Sequence, residues 1–348
     1  MEHRVVSEQN LYAWLAALME EQPVMGSRER KMQPGFHHFD WLDDPREFVP
    51  IYATTTIPPK AAFFPPEETL FTFKLEQRPR LDMVHAKFTY VLAGVHPCDL
   101  AAVDALDAAY GHPPADLRWH VNRRRAQIIG VDCLPDAYCF CPSTATSDFR
   151  RTCDLFLTQI DGGYLVEIHS KAGAALLEKA STSAAQVRDF KDAEQWRRGK
   201  MQNIKAGFDA EIEELATVLD NGGLRSIWEE TAARCYSCGS CNTTCPACFC
   251  FNMVDHIDDN LKQGIRKRTW DSCQLPDFAV VAGGHNFRGD RWQRVRHRWQ
   301  RKFLYLYRRF GRPYCTGCGR CSRACTADIN IVDVTNQLIA EGRKRRSP

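Results

Sequence analysis

Several features that would assign a function directly are missing from this 348-residue chain. No apolar run reaches the roughly 18 residues that a membrane-spanning helix needs, and residues 1–10 carry no signal-peptide pattern. Neither a G-x-G-x-x-G turn nor a G-x-x-x-x-G-K-[ST] loop occurs, and no Ser, His and carboxylate constellation can be identified. We therefore expect a cytoplasmic chain with no membrane span, and with no catalytic, nucleotide-binding or flavin-binding residues of its own.

Positive charge is concentrated in one segment, although the net charge of the whole chain is only +3. Residues 264–315 include 13 Lys or Arg and only three Asp. Such a segment could bind nucleic acid, pack around anionic metal centres, or dock an acidic face of a redox partner. Its aromatic residues are spaced as on a helix packing face rather than a base-stacking platform, so we expect no nucleic-acid binding. These aromatic residues are Trp292, Trp299, Phe303, Tyr305 and Tyr307.

Cysteine, by contrast, is abundant, with 16 residues in the chain. Eight of them form two copies of the spacing C-x2-C-x2-C-x3-C, which is typical of chains that bind [4Fe-4S] clusters. In proteins with two such clusters, the fourth cysteine of each copy ligates the other cluster. Zinc sites pair their cysteines differently, and disulfides need an oxidising compartment. The predicted ligands are Cys235, Cys238, Cys241 and Cys325 for cluster 1, and Cys315, Cys318, Cys321 and Cys245 for cluster 2.

The order of the predicted elements indicates an α+β fold with two domains. Residues 1–190 contain an amphipathic helix at 11–18, strands at 88–95 and 126–131, and a hairpin around Gly162, which predicts an N-terminal α/β-type domain. Asp99 is predicted to cap the helix that follows the first of these strands. Residues 191–348 are mostly helical, and a helix leads into each cysteine motif. They predict a helical dicluster ferredoxin-like domain with an insertion between the motifs.

Four further cysteines are predicted to meet at one edge of the N-terminal sheet. Cys98 follows the first strand, and Cys133 follows the second. Cys139 and Cys141 lie in the same loop as Cys133. If the two strands are adjacent, these four thiols could hold a third [4Fe-4S] cluster. The alternatives are a zinc site with the same ligand count and thiols that simply pack in the interior.

The last four cysteines have weaker signals. Cys248 and Cys250 follow the proline at the end of the first motif, so they are expected to lie near the clusters. With Cys273, they are predicted to be packing residues, and a further metal site stays open as the alternative. Cys153 is expected to be an ordinary strand residue.

Several short stretches, spread over most of the chain, resemble one family. They are Pro58-Pro59-Lys60, Phe64-Pro65 with Glu68, residues 94–100 (GVHPCDL), Cys139-Phe140-Cys141, residues 235–246, Cys248-Phe249-Cys250-Phe251, Trp270-Asp271-Ser272-Cys273, Asn286-Phe287-Arg288 and residues 315–321. The chain resembles the β subunits of cytosolic NiFe sulfhydrogenases and the related A subunit of anaerobic sulfite reductase. It departs from the family pattern at His96, usually arginine, and at Thr326, usually proline, and neither position is a predicted ligand.

The resemblance implies an iron–sulfur electron-relay subunit of a hetero-oligomeric oxidoreductase. In such complexes a flavin subunit exchanges hydride with NAD(P)H, and the β-like subunit conducts electrons between it and a catalytic subunit. The catalytic subunit is a NiFe hydrogenase in the first hypothesis, and a sulfite reductase or other flavin-linked reductase in the second. A third hypothesis, a stand-alone iron–sulfur redox sensor, predicts a monomer whose affinity for DNA falls steeply with salt.

Overall fold

The computed structural model describes residues 2–84 and 88–345, which form a mixed α+β fold with two sheets. The strands are β1 (Glu2–Ser7), β2 (Val24–Arg30), β3 (Gln33–Trp41), β4 (Glu67–Lys74), β5 (Arg80–Met83), β6 (Tyr90–Val95), β7 (Ala126–Val131), β8 (Leu155–Ile160), β9 (Gly163–Ile168), β10 (Ser183–Ala184), β11 (Phe251–Ile257) and β12 (Gln263–Trp270). The α-helices are α1 (Glu8–Glu21), α2 (Pro97–Gly111), α3 (Leu117–Arg124), α4 (Lys171–Leu177), α5 (Val187–Asn203), α6 (Ile212–Asp220), α7 (Arg225–Arg234), α8 (Ser240–Thr243), α9 (Arg291–Gln300), α10 (Leu306–Phe310), α11 (Arg320–Arg323) and α12 (Ile331–Lys344). None of the helices in this part of the chain combines the length and apolarity that crossing a bilayer requires.

The first sheet has the order β10-β1-β9-β8-β7-β6-β2-β3, and β2, β6, β7 and β8 run parallel to one another. Its central strands are apolar on both faces because helices cover both faces. Side chains such as Val91 and Ile129 pack with α1 and α4, whereas Leu92 and Ile128 pack with α2 and α3. The predicted helix, both strands and the hairpin of the N-terminal half are confirmed.

The expectation that Asp99 caps α2 is wrong. The helix begins at Pro97, whose fixed φ suits the first helical position, and His96 is the N-cap residue. Asp99 lies in the first turn and is fully buried, where its carboxylate binds Arg320. The Asp99 carboxylate therefore forms an ion pair with a residue 221 positions away in the sequence instead of capping the helix.

The insertion between the two cysteine motifs contains strands. β11 and β12 form a hairpin, and β12 pairs with β4 in a second sheet of order β11-β12-β4-β5. This sheet joins a segment from the first half of the chain to one from the second. α5 spans residue 190 and packs on the first sheet through Ala193, which contacts Ile160 and Leu165. The domain boundary at residue 190 stays a prediction.

The C-terminal half is built around a helical core that positions the two cysteine motifs. α6, α7, α9 and α12 share this core, in which Trp228, Trp299 and Leu338 are buried. The helix predicted to lead into the second cysteine motif is confirmed as α9, a π-helical turn (Arg301–Tyr305) and α10. In each motif a left-handed glycine, Gly239 (φ 80°) or Gly319 (φ 70°), starts a short helix directly after the second cysteine.

Candidate metal centres

The structure brings together the four cysteines predicted for cluster 1. Cys235, Cys238, Cys241 and Cys325 line one cavity, together with Cys321. The Ser237 N–H donates to Cys235 Sγ at 3.3 Å, and the Ile329 N–H donates to Cys325 Sγ at 3.4 Å. Hydrogen bonds to the ligating sulfurs are among the features that set the potential of an iron–sulfur cluster. Cys325 of the second motif thus lies beside the three cysteines of the first motif, and its ligation of cluster 1 stays a prediction.

The cluster 2 cysteines also lie together, in a more buried place. The charges of Cys315 and Cys318 interact with those of Cys321 and of Cys245 from the first motif. Burial raises the pKa of Cys315 to about 12 and that of Cys318 to about 11. Burial therefore disfavours the thiolate form in the absence of a metal, and ligation of iron releases the thiol protons.

The third group of cysteines meets at the carboxyl edge of the first sheet. β6 and β7 are adjacent and parallel, as predicted, so the first turn of α2 and the loop after β7 lie side by side. Burial raises the pKa of Cys139 well above its ordinary value, and the nearby Cys133 and Cys141 raise it further. Burial and the charge of Cys133 act on Cys98 in the same direction. The four thiols form one group, and a cluster there remains a prediction.

The third group lies against the second cysteine motif. The Phe140 N–H donates to the Gly317 carbonyl at 2.8 Å, and Thr146 Oγ1 donates to the Thr316 carbonyl at 2.7 Å. A Cβ at Gly317 would overlap the Cys141 backbone, so only glycine permits this approach. Arg320 also holds the first turn of α2 against the second motif, through two hydrogen bonds of 2.7 Å to the Asp99 carboxylate.

Buried cations surround the thiols. Lys60, Arg298 and Lys302 are each at most 5% exposed, and within the described residues none of them forms an ion pair with a carboxylate. Lys302 Nζ donates to Cys245 Sγ at 3.2 Å, whereas Nε and Nη2 of Arg298 have no hydrogen-bond partner. A buried charge without a counter-charge is strongly unfavourable. Thiolate-ligated iron–sulfur clusters are anions, so these cations fit the predicted groups.

A single-ion site of the usual kind is not seen in the part of the chain that the structure describes. No three His, Cys, Asp or Glu side chains there converge closely enough to hold one metal ion. The thiols that ligate an iron–sulfur cluster, several atoms across, stand farther apart than the ligands of one ion.

Sequence reasoning anticipated part of this environment. The interpretation that the basic segment packs around metal centres fits Arg298 and Lys302, whereas Arg308 pairs at the surface with Asp220. Lys60 was missed. It follows Pro58-Pro59 in a stretch without periodicity, and it reaches the Cys248 carbonyl, at 2.7 Å, only through the tertiary fold.

We expect Lys302→Met to lower the reduction potential of cluster 2. The substitution keeps most of the side-chain volume but removes a buried positive charge and its hydrogen bond to Cys245, both of which favour the reduced, more negative cluster. The midpoint should fall by at least about 59 mV, the shift that a tenfold change in a one-electron equilibrium represents. An EPR-monitored redox titration measures it. The exposed Lys344→Met is the control, and equal midpoints in both variants would contradict the assigned role.

Comparisons with known proteins agree with this picture. Residues 234–329 match a family model described as a 4Fe-4S dicluster domain. The chain is 32% identical over 311 residues to the sulfhydrogenase 2 subunit beta of Pyrococcus furiosus, an alignment that covers 87% of this chain and 89% of the relative. No solved structure gives a significant match.

Proposed function

Because the chain belongs to the sulfhydrogenase β-subunit family of [4Fe-4S] electron-transfer proteins, we propose that it relays single electrons in a cytosolic NiFe hydrogenase complex. The electrons pass between a flavin subunit that exchanges hydride with NAD(P)H and the NiFe catalytic subunit. A bound [4Fe-4S] cluster supplies one-electron chemistry. Substrate chemistry then belongs to the other subunits, and this chain provides the path between them.

The observation that carries the proposal is the continuity of the three thiol groups. Cys318 of cluster 2 interacts with Cys98 and Cys139 of the third group, and Cys321 of cluster 2 interacts with Cys241 of cluster 1. The middle group is thus next to both others. This arrangement supports a relay of three clusters, held by the ligands predicted from the sequence.

Both ends of this series lie near the surface. Cys133 of the third group lines an open groove with Trp196 and Lys200. At the other end, Cys238 is exposed beside Tyr236, which is 69% exposed. Electrons would then enter the series at one end and leave it at the other. The two ends are the places where we expect the flavin and catalytic subunits to dock.

The rest of the chain adjusts and protects the path. Lys60, Arg298 and Lys302 bring positive charge next to the thiolates, and the helical core excludes water from the cluster 2 thiols. Hydrogen bonds to sulfur, burial and nearby charge are the means by which proteins set cluster potentials. Cluster reduction potentials that lie between those of the electron donor and the electron acceptor subunits would make electron flow directional.

The alternative is the equivalent subunit of an anaerobic sulfite reductase or another flavin-linked reductase, and purification of the complex decides between them. The tagged chain, isolated anaerobically from its source, should bring down a flavoprotein and a subunit with nickel-ligating Cys-x2-Cys pairs. A sirohaem subunit in its place would favour the alternative. A monomer whose DNA affinity falls steeply with salt would contradict the relay and support the sensor hypothesis.

The third cluster is tested by Cys139→Ser. We expect this variant to lose about four irons per chain, one cubane, because it removes one of four thiolate ligands. Cys153→Ser is the matched control, because Cys153 is a buried thiol that hydrogen-bonds the Arg150 carbonyl outside all the groups. Iron and acid-labile sulfide are assayed on anaerobic protein. If Cys139→Ser retains the iron content of the control, the third group holds no cluster.

A further inference from the structure

Three of the four thiols that the relay does not use line a cavity of their own. Cys248, Cys250 and Cys273 line one small cavity in the C-terminal half. The β11–β12 hairpin creates this grouping: Cys250 directly precedes β11, and Cys273 follows the end of β12. The Asp271 N–H donates to the Cys250 carbonyl at 3.0 Å and extends the pairing of the two strands toward the thiols.

The lining of this cavity is cationic. Arg298, Arg301 and Lys302 border it, and no carboxylate does. Arg298 is 5% exposed, and its Nε and Nη2 atoms have no hydrogen-bond partner. Buried guanidinium groups normally donate to an acceptor, and buried charges normally have a counter-charge. The predicted clusters at Cys241 and Cys321 lie on one side of Arg298. On the side of this cavity, three neutral packing thiols would provide neither an acceptor nor a counter-charge.

Neutral amides also point at the thiols. Asn242 Nδ2 donates to Cys273 Sγ at 3.0 Å, and Gln274 Nε2 donates to the same sulfur at 3.6 Å. Asn242 is itself only 2% exposed, and its Nδ2 lies 4.0 Å from Cys250 Sγ. Donors directed at a buried sulfur stabilise a thiolate, the form that binds iron.

We propose that Cys248, Cys250 and Cys273 hold a further iron–sulfur cluster through three thiolates. Three ligands suit a cuboidal [3Fe-4S] cluster, or a cubane with one iron free of cysteine. The thiols lose their protons on binding, and the resulting anion adds counter-charge beside Arg298, Arg301 and Lys302. The Cys248 and Cys245 side chains are in contact, so the site borders cluster 2. This inference needs only the geometry of the chain and does not depend on which partners the relay serves.

Two alanine variants test the site by composition rather than by activity. Cys250→Ala and Cys273→Ala should each lose about three or four irons per chain, with matching sulfide, and the double variant should lose no more than either. The Cys153→Ala control should keep the wild-type content. EPR of the oxidised wild-type protein distinguishes the two cluster types, because [3Fe-4S] is paramagnetic when oxidised. Wild-type iron content in both variants would overturn the proposal.

A second measurement covers variants that fail to fold. Native mass spectrometry of the anaerobic wild-type chain should show cluster mass beyond that of the three relay groups. The iron content of Cys139→Ser shows separately whether the third group holds a cluster. The absence of that cluster can therefore be distinguished from the absence of the cluster proposed at Cys248, Cys250 and Cys273. If thiol labelling instead finds Cys250 and Cys273 joined as a disulfide in protein with full iron content, the cluster assignment is wrong.

Discussion

Cys318→Ser is expected to remove the iron of cluster 2 and to stop electron transfer along the chain. Cys318 interacts with Cys245 and Cys321 in its own group and with Cys98 in the third, so it occupies the middle of the path. Loss of a group that only hydrogen-bonds a metal ligand reduces metal affinity by roughly 10–100-fold. Loss of the ligand itself should have a larger effect, because a serine hydroxyl holds iron far less well than a thiolate.

Three measurements check this prediction on anaerobic protein. The variant should contain about four irons fewer than wild type, show a simpler EPR spectrum when reduced, and fail to pass electrons from reduced methyl viologen to its partner complex. Its N-terminal sheet should stay folded, as judged by circular dichroism. Cys153→Ser should behave as wild type in all three assays. Full iron content and full electron transfer in Cys318→Ser would show that the ligand assignment is wrong.

Arg320→Met should lower the free energy of unfolding by about 3–5 kcal/mol, the usual loss when one member of a buried ion pair is removed. Asp99 is fully buried and would keep a carboxylate with no counter-charge. Arg320 also donates to the Thr55 carbonyl at 2.8 Å, so the substitution removes a further contact between distant segments. The shift in the urea midpoint of anaerobic protein measures the loss.

The double variant Asp99→Leu/Arg320→Met should be less destabilised than Arg320→Met alone, because no unpaired charge remains. Arg308→Met, which breaks the exposed pair with Asp220, is the control and should change stability by at most about 1 kcal/mol. A midpoint for Arg320→Met equal to that of the control would contradict the prediction. Asp99 follows Cys98 and Arg320 lies two residues after Cys318, so this pair also fixes the spacing between neighbouring cysteine groups.

The sequence predicted the parts of the fold that depend on local patterns. Leu11, Trp14, Leu15 and Leu18 at helical spacing marked α1, and the apolar runs marked β6 and β7. The grouping of Cys98 with Cys133 also followed from the sequence, because parallel neighbouring strands end at the same edge of a sheet. The cysteine spacing alone gave the ligand sets predicted for clusters 1 and 2, which stay a prediction.

Contacts between distant segments could not be predicted in this way. β4 and β12 pair across about 200 residues, as the bonds between Glu68 and Arg268 show, and nothing local to either strand identifies its partner. Because β12 was not expected, the grouping of Cys250 with Cys273 was not expected either. Lys60 and Gly317 were missed for the same reason, since each acts on a cysteine loop far away in the chain.

The iron and acid-labile sulfide content of the anaerobically purified chain, with EPR of the reduced form, tests the account most directly. Three [4Fe-4S] clusters require at least about twelve irons per chain with an equal amount of sulfide. The relay predicts that value, together with EPR signals broadened by neighbouring reduced clusters. About eight irons, with no loss in Cys139→Ser, would contradict the three-cluster path and confine any relay to the C-terminal motifs.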